Sequence, residues 1–276
     1  MIKISIIVPS YNQGQFLEET LLSLINQDFP NKEIIVMDGG STDNSVEVIK
    51  KYEEHIAYWQ SQKDNGQSDA INSGFRKATG DFVTWLNSDD VILEGSLTKV
   101  ANFIEQHPKT ELFMGNLFWM NKSGHIIHVG KSGGDNHFCQ RHYLFANGGP
   151  SAFMRRSTLV ELGMLRDDFH YMMDTELWCR FIKNGYYFAR MPFYCWCLRI
   201  HEDAKMSGHN FAGSKLADKT HPSWKKKQRE HTIHNELYPT SKNLMKIWRI
   251  SKLFTFNFYT RYFDKKYLGI HYSDIR

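Results

Sequence analysis

Over the first hundred residues, short β-branched runs alternate with stretches of helical periodicity. Ile4 to Val8 reads as a first strand. Phe16, Leu17, Thr20, Leu21, Leu24 and Ile25 then recur at helical spacing, which puts one apolar stripe on a helix ending near Asp28, with Pro30 just beyond. Glu33 to Met37 predicts a second strand. After it come a helix carrying Val46, Val48, Ile49 and Tyr52, a strand around Ile56 to Gln60, a helix with Ala70, Ile71, Gly74, Phe75 and Ala78, and a strand from Phe82 to Leu86. This alternation predicts an α/β domain with a mostly parallel central sheet. Each strand ends in polar residues. Ligands of open α/β sheets bind at the carboxyl ends of the strands, so Ser10-Tyr11-Asn12, Asp38-Gly39-Gly40-Ser41 and Asn87-Ser88-Asp89-Asp90 are expected to converge on one crevice.

Beyond residue 110 the pattern turns mixed. Leu117 to Met120 and Ile126 to Val129 predict a hairpin around Asn121-Lys122-Ser123-Gly124, and Asn147-Gly148-Gly149-Pro150 forms a Gly-rich loop. A helix from Asp174 to about Asn184 is ended by Gly185, and two aromatic strands follow at Tyr186 to Arg190 and Phe193 to Leu198. The chain is thus read as a body, 1–220, whose halves are 1–110 and 111–220, and a tail, 221–276.

The 276 residues are 41% hydrophobic and 23% charged, close to the globular average, which excludes a disordered chain and a membrane bundle. No stretch approaches the ~18 apolar residues of a spanning helix, and Met1 to Tyr11 carries no cleavable leader. Cys139, Cys179, Cys195 and Cys197 form no CxxC and are expected to be reduced thiols in a cytoplasm. Formal charge is +4, but the tail holds 12 Lys/Arg against 4 Asp/Glu, leaving 22 against 26 in the body. That asymmetry argues against a nucleic-acid partner for the body and for a basic appendage suited to an anionic surface. In the tail, Leu244, Ile247, Trp248, Phe254 and Phe258 fall roughly on one helical face, with Lys246, Arg249 and Lys252 offset from it. This suits the headgroup layer of an anionic membrane, or equally a helix packed on the domain or on a second subunit of a homodimer.

Two familiar phosphate sites are missing. The turn after the first strand reads Ser10-Tyr11-Asn12-Gln13-Gly14, not G-x-G-x-x-G, and the glycines of Gly124 to Ser132 are spaced wrongly for a P-loop. Without a glycine cradle or a basic cluster, a diphosphate needs a divalent cation to neutralise it. Asp89 and Asp90 at the mouth of a buried strand would repel each other unless a cation or a ribose stabilises them; a turn-capping pair is the plain alternative. His137-x-Cys139-x-x-His142 and His231-x-x-His234 match no common zinc spacing.

Four ordered motifs go further. Ile6-Ile7-Val8-Pro9-Ser10-Tyr11-Asn12, then Glu33 to Met37 with Asp38-Gly39-Gly40-Ser41-Thr42-Asp43, then Asn65-Gly66-Gln67-Ser68-Asp69-Ala70-Ile71-Asn72, then Gly80-Asp81 leading to Asp89-Asp90, resemble family-two glycosyltransferases of the GT-A fold. The resemblance covers about residues 3–205. It implies a GT-A Rossmann-like mostly parallel sheet, a nucleotide-binding half at 1–110, a mixed acceptor-side half at 111–220, and here a C-terminal helical tail. It implies that Pro9 and Tyr11 line a base pocket, that Asp38 lies near the base and Asp89 near the ribose, and that Asp90 binds the metal. In many relatives Asp38 is followed by a second Asp, where this chain has Gly39. Asp64 and Gln67 fall in the segment bordering nucleotide and sugar, with capping of the next helix as the alternative. Asp174-Thr175-Glu176-Leu177-Trp178 resembles the family's acidic motif, whose first carboxylate is the general base. Residues i and i+2 diverge by about 200° on a helix, so Asp174 and Glu176 cannot both face an acceptor hydroxyl. Arg199-Ile200-His201 resembles a weaker motif that returns to the diphosphate or metal, with His201 as a ligand beside Asp90.

The expected activity is a metal-dependent inverting transfer, with Mn²⁺ or Mg²⁺, from a nucleotide-diphospho-sugar, a UDP-sugar first among these, to a glycan or lipid-linked acceptor in surface polysaccharide synthesis. The enzyme would be cytoplasmic, on or near the inner face of the membrane. A non-catalytic nucleotide-sugar-binding module and a sugar nucleotidyltransferase are the alternatives, the latter needing a Gly- and Arg-rich loop that Ser10 to Gly14 does not offer.

Overall fold

The computed structural model describes residues 2–133, 136–144, 151–202, 204–205, 223–247 and 265–275. The first half runs β1 (Ile4–Ser10), α1 (Gly14–Ile25), β2 (Lys32–Asp38), α2 (Ser45–Lys51), β3 (Tyr58–Ser61), α3 (Gln67–Lys77) and β4 (Phe82–Trp85). There follow β5 (Val91–Ile92), α4 (Ser96–Gln106), β6 (Leu112–Met120), β7 (Ile126–Gly130), α5 (His137–Arg141), β8 (Ala152–Arg155), α6 (Arg156–Glu161), α7 (Met173–Lys183), β9 (Phe188–Arg199) and α8 (Ser223–Leu237). All nine strands join one sheet in the order β3-β2-β1-β4-β8-β6-β9-β5, with β7 paired to β6.

Strand periodicity explains the layers. Successive residues of β1 face opposite sides, so Ile4, Ile6 and Val8 pack with Leu17, Leu21 and Leu24 of α1, while Ile7 packs with Ala70, Ile71 and Phe75 of α3. α3 lies so close to β1 that a Cβ on Gly74 would stand 2.5 Å from Ile7 Cγ2. No residue but glycine allows that approach.

β1 pairs in parallel with β2 on one side and β4 on the other, and β2 with β3. Ser10 stands opposite Asp38 and Ile7 opposite Trp85, so the polar residues that follow these parallel strands lie along the same edge of the sheet. The second half is mixed: β8 runs antiparallel between β4 and β6, and β6 runs parallel to β9.

Sequence reasoning expects two aromatic strands after Gly185. The structure has one, Phe188–Arg199. Between the Met114–Arg190 and Asn116–Tyr194 pairs, β6 advances two residues while β9 advances four, so the irregularity is taken up around exposed Pro192. Proline has no N–H for a ladder, and a bulge lets the strand continue past it.

One contact ties the two halves behind the crevice. Trp85, the last residue of β4, stacks on Trp178 of α7 at 5.7 Å between centroids and 13° between planes, and both are 1% exposed. Trp178→Ala should therefore cost about 3–5 kcal/mol, from lost burial and the cavity left behind. A urea midpoint unchanged in that variant would show that the stack does not hold the halves together.

Among the described residues, two segments of the tail lie against the body. α8 lies against α7: Tyr238, just past its end, donates its hydroxyl to Glu176 Oε1 at 2.9 Å, and His234 Nε2 lies 3.4 Å from Cys179 Sγ. Lys265–Ile275 lies on the β6–β7 hairpin, where Ile126 N–H donates to the Ile270 carbonyl at 2.9 Å and Tyr267 packs on Phe118 at 5.1 Å. Of the expected apolar face, Leu244 is half-buried and Ile247 is 64% exposed; Trp248, Phe254 and Phe258 lie outside the described residues. The Gly-rich loop 147–150 lies outside them too. All four cysteines are free. Among the described residues no helix is long and apolar enough to cross a membrane.

Candidate active site

The crevice opens at the ends of β1, β2 and β4. Pro9 is buried at the end of β1, and Tyr11, just past it, is 63% exposed. Asn12 adopts φ +51°, and its Oδ1 accepts the Thr42 N–H at 2.8 Å, which locks the β1 turn to the β2 turn.

Asp38, expected near the base, has its carboxylate engaged within its own loop and by Ser61. Oδ2 accepts the N–H of Gly40 (3.2 Å) and Ser41 (2.9 Å) and the hydroxyl of Ser61 (2.6 Å), and Oδ1 accepts the Ser41 hydroxyl (2.5 Å). With four donors on a 2%-exposed side chain, Asp38 shapes the turn. Asp64 is different. Its Oδ1 accepts the Gly66 N–H at 2.8 Å, and its Oδ2 lies 2.7 Å from where a Gly39 Cβ would be. Burial, with Asp69 and Asp38 nearby, pushes the Asp64 carboxyl above its ordinary value. Neither Asp64 nor Gln67 caps α3, whose N-cap is Gly66.

Asn87 to Asp90 forms a turn closed by Asp90 N–H on the Asn87 carbonyl at 3.1 Å. The turn separates the two acids. Asp90 is 1% exposed; its Oδ1 accepts the Arg199 N–H and its Oδ2 the Asn87 amide, each at 2.8 Å. Burial first, and the Asp89 charge second, push its carboxyl well up. Asp90, the acid expected to bind the metal, is therefore buried, with each oxygen accepting one hydrogen bond. Asp89 is the acid that faces His201, Oδ2 to Nε2 at 2.9 Å, while His201 Nδ1 is buried with no partner among the described residues. Arg199 does not reach toward a diphosphate. Its guanidinium donates to the carbonyls of Asp89 (2.8 Å) and Lys122 (2.7 Å) and to Glu19 Oε2 (2.5 Å), and it lies over the Phe16 ring at 4.9 Å.

Polar contacts then cross to the second half. Asn87 Oδ1 accepts the Gln67 side-chain amide at 2.8 Å, and Gln67 Oε1 accepts Lys205 Nζ at 2.6 Å. Burial pulls the Lys205 ammonium down to about 8, against the pull of Asp174 and Glu230. Asp174 sits in the first turn of α7, with Oδ1 accepting the N–H of Thr175 at 2.6 Å. It is half-buried, and dense surroundings push its carboxyl up although Thr175 and Lys205 favour the charged form. Glu176 points elsewhere, as two residues of helix require. It is 1% exposed and held by Arg180 (3.1 and 2.6 Å) and Tyr238.

Glu230 was not singled out by sequence reasoning. This 2%-exposed residue of α8 accepts the backbone N–H groups of His170 (2.9 Å), Tyr171 (2.7 Å) and Met172 (3.0 Å), the three residues that lead into α7. It satisfies donors that would otherwise be orphaned at the entry to the helix carrying Asp174. Lys205 was also missed, although a basic residue four positions after His201 is a visible signal.

The family model for glycosyl transferase family 2 matches residues 5–162. The poly(ribitol-phosphate) beta-N-acetylglucosaminyltransferase TarS of Staphylococcus aureus is 37% identical over 112 residues, 39% of this chain and 20% of that protein. A Campylobacter jejuni GalNAc(5)-diNAcBac-PP-undecaprenol beta-1,3-glucosyltransferase is 29% identical over 204 residues, 70% of this chain and 64% of that one. In structure, TarS 1-349 with UDP-GlcNAc superposes with a TM-score of 0.63 over 95% of this chain and 76% of its own, at 17% identity. A mannosyltransferase from Pyrobaculum calidifontis with GDP-Man and Mn2+ gives a TM-score of 0.58 over 73% of this chain and 58% of its own, at 19% identity. The chain spans less than half the length of the curated relatives it matches first. With the family match running through more than half of its residues, and the sheet order and strand-end crevice in place, this chain belongs to glycosyl transferase family 2.

Proposed function

We propose that the chain is a divalent-cation-dependent, inverting hexosyltransferase that moves a sugar from a nucleotide-diphosphate donor, a UDP-sugar first among these, to a hydroxyl of a glycan or lipid-linked acceptor. The observation that carries this reading is the placement of Asp89 with His201 at the strand ends and of Asp174 on the first turn of α7, linked by Asn87, Gln67 and Lys205. The relatives named for transfer to poly(ribitol-phosphate) and to a PP-undecaprenol carrier support a surface-polysaccharide role.

The donor set at Asp89 and His201 fits a hard or borderline divalent ion, one carboxylate oxygen and one imidazole nitrogen, with substrate oxygens to fill the shell. Among the described residues no third His, Cys, Asp or Glu joins them in a ready-made cluster. When bound, Mn²⁺ or Mg²⁺ supplies positive charge to the departing diphosphate. Lys205 adds a second cation. Asp174 takes the proton of the acceptor hydroxyl as its oxygen forms the bond to C1 and the bond from C1 to the diphosphate breaks. Pro9 and Tyr11 border the base, Gln67 borders the sugar, and Asp38 and Asp90 hold the loops that present these groups.

A thermal-shift screen of nucleotide diphosphates with Mn²⁺ and Mg²⁺ tests the donor site, and the anomeric configuration of the product tests inversion. No shift with any nucleotide, or retention at C1, would remove the corresponding part. Activity should also be bell-shaped in pH. Asp174 must be ionised to accept a proton, so its raised pKa places the acid limb above the ordinary carboxylate range. Lys205 loses its charge above about 8, which sets the alkaline limb. Lys205→Arg should move only the alkaline limb, upward; a profile unchanged in that variant would exclude Lys205 from the reaction.

We assign the basic, aromatic segment 242–263 to the inner face of a cytoplasmic membrane, at ~1 kcal/mol per basic residue near an anionic surface. Full-length protein that stays in the supernatant with anionic vesicles at low salt would remove this assignment.

A further inference from the structure

α8 turns one face toward the body. On that face Glu230 binds the backbone of His170 to Met172, Ile233 and Leu237 join the core around Trp178, and His234 and Tyr238 reach Cys179 and Glu176. Residues three and four apart share a helix face, so one turn before Glu230 the same face carries Lys226 and Lys227. A face that is otherwise packed or hydrogen-bonded thus ends in two lysines where it reaches the entry to α7. Lys227 is half-buried and Lys226 exposed, and neither makes an ion pair or a hydrogen bond among the described residues. Their charges act on the site. Burial lowers the Lys227 ammonium, against the pull of Asp174 and Glu230. Burial, with the charges of Lys205 and Lys226, holds His170 down to about 4, so its ring stays neutral. Three ammonium groups, on Lys205, Lys226 and Lys227, therefore gather around two carboxylates, Asp174 and Glu230. Glu230 is already held by three N–H groups, and Asp174 loses its charge on taking a proton. The excess of positive charge is greatest at the moment of transfer.

We propose that Lys226 and Lys227 form a phosphate subsite for the acceptor, so that the hydroxyl presented to Asp174 belongs to a phosphate-bearing substrate, a polyol phosphate or a lipid-linked diphosphate. This rests on the sugar-transfer reading and narrows its acceptor class. Position assigns the phosphate to the acceptor. α8 packs on α7, the helix that carries the base, whereas the donor side has its own ammonium, Lys205 Nζ, held on Gln67 Oε1 at 2.6 Å. α8 also lies outside residues 5–162, the part of the chain that the family model matches. Charge and shape assign the chemical class. Two ammonium groups act as point charges on a tetrahedral anion, while a carboxylate is better matched by the planar fork of an arginine, and both inward positions here are lysine. A phosphate also offsets the mutual repulsion of the three ammonium groups, which a neutral sugar leaves in place.

The test is calorimetric titration of the full chain, its donor site filled with saturating UDP and Mn²⁺, with glycerol phosphate, farnesyl diphosphate, glucuronate and maltotriose. At least one of the two phosphate compounds should bind about ten- to a hundredfold more tightly than glucuronate or maltotriose, and the tighter of them names the source, polyol or lipid. Lys226→Gln combined with Lys227→Gln should remove that preference and leave UDP affinity unchanged. Lys226→Arg combined with Lys227→Arg should keep it. Lys225→Gln removes a charge from outside the face and should change phosphate binding by less than about twofold. Glucuronate bound as tightly as the phosphates, or a phosphate preference that survives the double glutamine variant or falls as far in Lys225→Gln, would overturn the subsite and leave the donor reading intact. A double glutamine variant that loses UDP affinity would place the lysines on the donor diphosphate and overturn the subsite too. A native chain that binds no UDP would overturn the donor reading, and the same titrations without nucleotide would still decide the subsite.

Discussion

Asp174→Asn should lower turnover by ~10² to 10⁴ while leaving nucleotide binding nearly unchanged. The amide keeps the shape of the side chain, so the first turn of α7 and its Thr175 contact survive. What is lost is the lone pair that takes the acceptor proton. The loss should fall on kcat, because the proton moves only as the acceptor oxygen attacks. Glu176→Gln is the control. Glu176 is already bound by Arg180 and Tyr238, so its replacement should lower stability and leave the pH profile alone. If Glu176→Gln abolished turnover in a folded protein and Asp174→Asn did not, the base would be reassigned.

The adjacent acids Asp89 and Asp90 should part company in the same way. Asp89→Asn is expected to remove the stimulation by Mn²⁺ and to lower kcat/KM by about 10²-fold or more, since a ligand lost from a leaving-group cation costs several kcal/mol. Asp90→Asn should keep the metal response and lose stability instead. Its Oδ1 and Oδ2 both receive donors, so an amide NH2 must face one of them, a buried mismatch of about 1–3 kcal/mol. Activity titrated against Mn²⁺, beside a melting curve for each variant, separates the two. A folded Asp90→Asn that no longer responds to Mn²⁺, with Asp89→Asn still responsive, would return the metal to Asp90.

This division marks where the sequence stops being legible. The β-branched runs and their spacing locate β1 to β4 to within about two residues, because strand and helix periods repeat over enough positions to be read. The same signal for α4 is present in Leu97, Val100, Ala101 and Ile104. Which of two neighbouring acids faces a crevice has no period. Asp89 and Asp90 lie in an irregular turn, and the choice is made by Arg199, a strand end more than a hundred residues away. The inward turn of Asp38 is likewise made by contacts with no period, from Ser41 and Ser61. That Asp174 and Glu176 face different ways was legible, since helix geometry alone separates them. The single strand β9 was not, because Pro192 reads locally as a break and only pairing with β6 carries the strand past it.

Glu230 has a consequence for the order in which the molecule is completed. The donors it satisfies lie 58 to 60 residues earlier in the chain. A growing polypeptide that has reached Asp174 still lacks the carboxylate that fixes the entry to its helix. At synthesis rates of 5–20 residues per second that interval lasts roughly 3–12 s. The residues at the ends of β1, β2 and β4 belong to strands made much earlier, so they are all in the chain before the entry to α7 is fixed. The entry to α7 is thus completed from a segment made well after the helix itself.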